Sequence, residues 1–147
     1  MWKKLLNSFE QQQEDDPLFG MVELQANDQD KTYYLMKDVN LGEQEDTISL
    51  TVESKEKKAS KTQHDLFVLI EQNFAAITSS AFSYMQSRME NKSLDDLKND
   101  FQIESVYIAE PSQKDKWELT LMNLGEGISY CVIDFEKLIP TGLTIEE

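Results

Sequence analysis

At 147 residues, with 28 Asp and Glu against 14 Lys and Arg, the chain carries a formal charge of −14. A chain of this length fits one domain that buries roughly 68–70% of its unfolded surface without disulfides, and the single cysteine, Cys131, excludes an internal one. One histidine, His64, and one cysteine exclude Cys/His zinc sites by count, while the acidity disfavours nucleic-acid phosphates and anionic lipid heads and favours basic partners.

Trp2, Leu5, Leu6 and Phe9 recur at helical spacing and predict a short amphipathic N-terminal helix. Its lysines resemble the start of a secretion signal. Gln11-Gln12-Gln13-Glu14 stands where the apolar stretch would follow, so a cytoplasmic protein is expected. No segment reaches the ~18 apolar residues of a membrane helix, and no membrane partner is expected. Residues 1–16 therefore read as a helix and a polar connection, closed by Pro17.

Residues 17–53 read as a strand meander. The first strand is 18–24 and the second 32–36, with the polar turn Asn27-Asp28-Gln29-Asp30 between them. Asn40-Leu41-Gly42 marks the next turn. Residues 46–53 form the clearest strand: Ile48, Leu50 and Val52 alternate with Thr47, Ser49 and Thr51, giving one buried and one wet face.

Residues 59–100 read as helices. Lys55, Lys57, Lys58 and Lys61 form a basic cluster ahead of them, and Ser60 with Gln63 has the form of a capping box. Leu66, Ile70, Phe74, Ile77, Ala81, Met85 and Met89 then recur every three or four residues as far as about residue 91. Such a helix would extend roughly 45 Å, longer than a small domain is wide, so a bend near Thr78-Ser79-Ser80 or a break into two helices is predicted. Ser93 and Asp96 cap a shorter helix with Leu94 and Leu97.

Residues 101–145 read as strands again: 101–109, 116–122 and 128–135, with a short edge strand over 138–145 limited by Pro140 and Gly142. In the second of these, Trp117, Leu119 and Leu121 alternate with Glu118 and Thr120. Gly125-Glu126-Gly127 predicts the turn of a hairpin. The expected fold is a single α+β domain, order α-βββ-αα-βββ, with an antiparallel sheet of about six strands and a long helix on one face.

Reactive constellations are sparse. His64 lies early in the long helix in a polar stretch and reads as an exposed helix-end residue; Cys131 reads as core. No nucleophile elbow, phosphate loop or dinucleotide fingerprint is present. Asn27-Asp28-Gln29-Asp30 lacks the glycine and distal Glu of a calcium loop. Asp95 and Asp96 start a helix, where the dipole favours negative charge without catalysis. No catalytic residue, metal site or cofactor is expected. The acidic groups Glu14-Asp15-Asp16, Glu43-Glu45-Asp46 and Asp95-Asp96-Asp100 fall in loops or at element ends, where a scaffold can present them to a partner, and the last two groups enter the candidate set. Tyr33 and Tyr34 place one ring outward from a regular strand, as an interface anchor. These eight residues are the candidate partner-binding set.

Asp16-Pro17-Leu18-Phe19-Gly20, the run from Leu94 through Phe101 into Ile103 to Ile108, and the hairpin beginning at Trp117 resemble a family of small bacterial proteins of uncharacterised function. Many of its members are candidate immunity proteins of polymorphic toxin systems. The resemblance spans most of the chain from Asp16 onward. Where that family carries a tryptophan in its second strand, Tyr33-Tyr34 stand here. It implies a non-catalytic acidic protein that neutralises a basic toxin domain by occluding its active site. A regulatory or scaffold domain and a carboxylate-dependent hydrolase are the alternatives.

Overall fold

The computed structural model describes residues 12–27, 29–42, 46–89, 91–125 and 129–146. Eight strands form one sheet in sequence order. Four precede the helices: β1 (Gln12–Asp16), β2 (Gly20–Asn27), β3 (Thr32–Val39) and β4 (Ile48–Ser54). Then come α1 (Lys61–Gln72), α2 (Phe74–Arg88) and α3 (Leu94–Asp100). Four strands follow: β5 (Phe101–Ile108), β6 (Lys116–Asn123), β7 (Tyr130–Glu136) and β8 (Ile139–Glu146). Neighbouring strands are antiparallel except β4 and β5, which run parallel because the three helices return the chain to the same end of the sheet.

The α+β character stands, but the expected order and strand number are overturned. The sheet is mixed and has eight strands, and the order among the described residues is four strands, three helices, four strands. The predicted N-terminal helix over residues 1–9 and the turn residues Glu126 and Gly127 lie outside the described residues. Part of the expected polar connection, Gln12–Asp16, is strand β1. Its sequence has no apolar residue to announce a strand; pairing comes from the exposed backbone of β2, with Glu14 opposite Val22. Of β1 only Asp16 is buried, and its carboxylate is fully used. Oδ2 accepts from the amides of Leu18 and Phe19 (3.0 Å each), and Oδ1 from Ala59 N (3.0 Å).

The expected long helix breaks at Asn73 rather than near Thr78-Ser79-Ser80. Asn73 ends α1 and begins α2 with φ −119° and ψ 20°, and its Nδ2 donates to Leu69 O at 2.8 Å. Short amide side chains that bond to nearby backbone favour helix ends. Thr78 lies within α2, its hydroxyl donating to Phe74 O at 2.9 Å. The capping box at Ser60 and Gln63 forms as read.

Leu66, Ile70, Phe74, Ile77 and Met85 share one buried cluster with Ile48, Leu50, Val52, Val106, Trp117, Leu119, Leu121, Ile133 and Phe135. Leu97 of α3 belongs to the same cluster, so all three helices cover one face of the sheet. Gly42, in the left-handed region at φ +64°, lies so close to the Phe74 ring that a Cβ would sit 3.2 Å from it. Among the described residues no helix is long and apolar enough to cross a membrane.

Candidate functional site

Strand alternation gives the sheet a second face that no helix among the described residues covers. Inward Leu35, Val52, Val106, Leu119 and Ile133 are buried; their outward neighbours are exposed or half-exposed. One cross-strand row runs without interruption through Glu23, Met36, Thr51, Tyr107, Glu118, Asp134 and Gly142, each opposite the next. Beside it Gln25, Tyr34 and Glu53 stand opposite one another. Asp38 and Glu146 add carboxylates on the same face. Among the described residues, the cation on these outward strand positions is Lys116, the first residue of β6.

The centre of this face is positioned from behind. Gln63, 3% exposed, donates through Nε2 to Glu53 O (2.6 Å) and Ala109 O (2.9 Å). One helix side chain thus clamps the ends of β4 and β5 and fixes the parallel register that brings Tyr107 to Glu53. The Tyr107 hydroxyl donates to the Glu53 carboxylate. Under β6 and β7, Trp117 stacks on Phe135 at 4.5 Å and donates its indole N–H to Lys137 O at 2.7 Å. That floor holds the next residues along, Glu118 and Asp134, opposite each other. Asp134 leans over Gly142, where a Cβ would lie 3.1 Å from its Oδ2.

These residues line a concavity of about 440 Å³ that includes Glu53, Tyr107, Lys116, Glu118, Asp134 and Thr141. A second, of about 390 Å³, lies across the β1–β4 half, lined by Met21, Glu23, Met36 and Asp38 among others. The electrostatics follow from burial and crowding. Glu118 is raised above its ordinary value by burial first, then by the charges of Asp134, Glu146 and Glu53. Burial, the hydrogen bond to Glu53 and nearby negative charge push Tyr107 far up. Tyr34 is raised by burial, Glu53 and Asp30. Like charges directly opposite on adjacent strands repel, and none of the ion pairs among the described residues reaches this face.

The sequence-predicted partner residues scatter. Glu43 and Glu45 lie outside the described residues. Asp46 is exposed before β4 and accepts from Gln102 Nε2 at 3.4 Å. Asp95 and Asp96 are exposed in the first turn of α3, with Asp96 N donating to Ser93 Oγ. Asp100 pairs with Lys92 at 3.7 Å. Asp46 and Lys98 share a cleft of about 460 Å³ floored by Phe82 and Phe101, and Asp95 and Asp96 do not line it. Tyr33 packs against the core, whereas Tyr34 joins the open face.

No sequence signal groups Glu53, Tyr107, Glu118 and Asp134. The alternation of β6 marks Glu118 as outward, but only the strand register sets Asp134 and Tyr107 on either side of it. His64, expected to be exposed, is half-buried with its ring edge-on to Phe19 at 5.2 Å. Cys131 is buried, and burial pushes its thiol up to about 11. Among the described residues no three His, Cys, Asp or Glu side chains converge as a metal site. No protein-family model matches this chain, and no curated protein or solved structure matches it.

Proposed function

We propose that this chain is a non-catalytic binding protein that docks its helix-free sheet face onto a basic protein, and that it acts as an immunity protein, occluding the active site of a cognate toxin. One observation carries the reading: Glu53, Glu118, Asp134 and Glu146 crowd one side of the sheet, interleaved with Tyr34 and Tyr107, and among the described residues no cation pairs with them. A basic surface would relieve that repulsion, and the tyrosine rings and methionines supply apolar contact. The dimensions are adequate. Eight strands about 4.8 Å apart and about 24 Å long present roughly 800 Å², the area one partner contributes to a standard interface.

Capture of partners from the native host tests this with Glu23→Lys, Asp38→Lys and Glu146→Lys combined, all at exposed positions. The expected result is a basic protein retained by the natural chain, released by salt and lost from the triple variant. Its toxicity to cells, relieved by co-expression of this chain, supports immunity. A harmless captured partner points to the regulatory or scaffold reading. Capture that ignores both salt and the triple reversal contradicts docking through this face.

A further inference from the structure

Glu118 occupies an unusual place on the open face. It is half-buried at the middle of a cross-strand row, with Tyr107 of β5 on one side and Asp134 of β7 on the other. Glu53 of β4 reaches the same spot through its hydrogen bond from Tyr107, and Glu146 of β8 contributes a further negative charge. On its own strand, Lys116 lines the same concavity but pairs with none of these carboxylates. Tyr107 spends its hydroxyl proton on Glu53, so it has none left to donate to Glu118. The geometry therefore assembles carboxylates from three strands around one concavity, with the charge of Glu146 nearby, and leaves the central one without a donor among the described residues.

We propose that the open face is a pH gate: Glu118 takes up a proton in mildly acidic solution, which removes a central charge and loosens the hold on a basic partner, and a cationic side chain docked beside it drives that proton off. The gate rests on the docking reading above. Its physical basis is that two ionised carboxylates facing each other across neighbouring strands are costly, so one holds its proton longer than an isolated group would. The direction agrees with the upward displacement of Glu118 by burial and by Asp134, Glu146 and Glu53. Linkage makes the coupling reciprocal: whatever binds the ionised face lowers the midpoint of Glu118, and whatever protonates Glu118 weakens that binding by the same factor.

The test is a titration of the Glu118 side-chain carboxyl by NMR in the full chain, alone and with saturating decalysine peptide at low salt, repeated in Asp134→Asn. The expected midpoint in the free chain lies above the ordinary 4.5. It moves down toward 4.5 in Asp134→Asn, and down again in the natural chain when the peptide is bound. A midpoint at or below 4.5, or one indifferent to Asp134→Asn or to bound peptide, overturns the gate. The two failures are distinguishable. An ordinary midpoint with tight peptide binding sinks the gate alone. A high midpoint with no peptide binding sinks the docking reading and the gate with it.

Discussion

Asp16 shows how much one side chain decides in this fold. It is 4% exposed, and three backbone amides converge on its carboxylate, two from the turn into β2 and one from the approach to α1. Asp16→Ala would leave those amides without their acceptor, at a cost of about 3 kcal/mol, read as a lower urea midpoint at unchanged m-value. Glu118 works in the opposite sense. Its folded value is raised, so the native chain holds a proton that the unfolded chain has released. The stability it contributes is complete below the unfolded value near 4.5 and is lost as pH rises through its folded midpoint. Glu118→Gln is therefore expected to stabilise the chain at pH 7, with the gain shrinking as pH falls through that window; equal gains at pH 4 and pH 7 would contradict the crowding. The sequence shows Glu118 as the wet member of an alternating strand. It does not show its neighbours, because Asp134 and Tyr107 meet it only through the register of separate strands.

Helix α1 is coupled to the sheet through Gln63, which closes the capping box in front and clamps Glu53 O and Ala109 O behind. Loss of both roles in Gln63→Ala is expected to cost about 2–3 kcal/mol, and to loosen the β4–β5 ends first, seen as faster amide exchange there than in β6 and β7. The local signals were legible at this scale. The alternation in 46–53 and 116–122 marked β4 and β6, and Ser60, Gln63 and Ser93 marked helix starts. One element and one boundary were not. Gln12–Asp16 pairs as β1 through its backbone alone, so no apolar pattern could reveal it. The length of the apolar stripe predicts a bend or a break into two helices, but the stripe from Leu66 to Met85 continues in phase across Asn73, so periodicity conceals where the break falls, while Asn73's bond to Leu69 O shows its cause. Phe74, the first residue after that break, fills the core beside Gly42. Phe74→Ala is expected to cost about 3–5 kcal/mol by calorimetry or urea unfolding.

For the whole molecule, charge is arranged by topology. Helices packed on one face leave the other to outward strand residues, and these are mainly Glu, Asp, Thr, Tyr and Met. Meanwhile Lys57 and Lys58 stay exposed in the loop before α1, and Lys55 donates from its Nζ to Thr32 Oγ1 at 3.1 Å, at the start of β3. Net charge is plain from composition. The acidic runs at element ends drew attention because they are contiguous in sequence. The carboxylates of the sheet face come from β1, β2, β3, β4, β6, β7 and β8, one or two from each strand, and become neighbours only once the eight strands are in register. On the docking proposal this face, rather than the loop clusters, receives a cationic partner. Amide chemical-shift mapping with decalysine peptide at low salt tests it directly. The largest shifts are expected on Tyr34, Glu53, Tyr107, Glu118 and Asp134, fading as salt shortens the Debye length from about 30 Å to about 8 Å. Shifts centred on Asp46, Asp95, Asp96 and Asp100, or spread evenly over the surface, would contradict it.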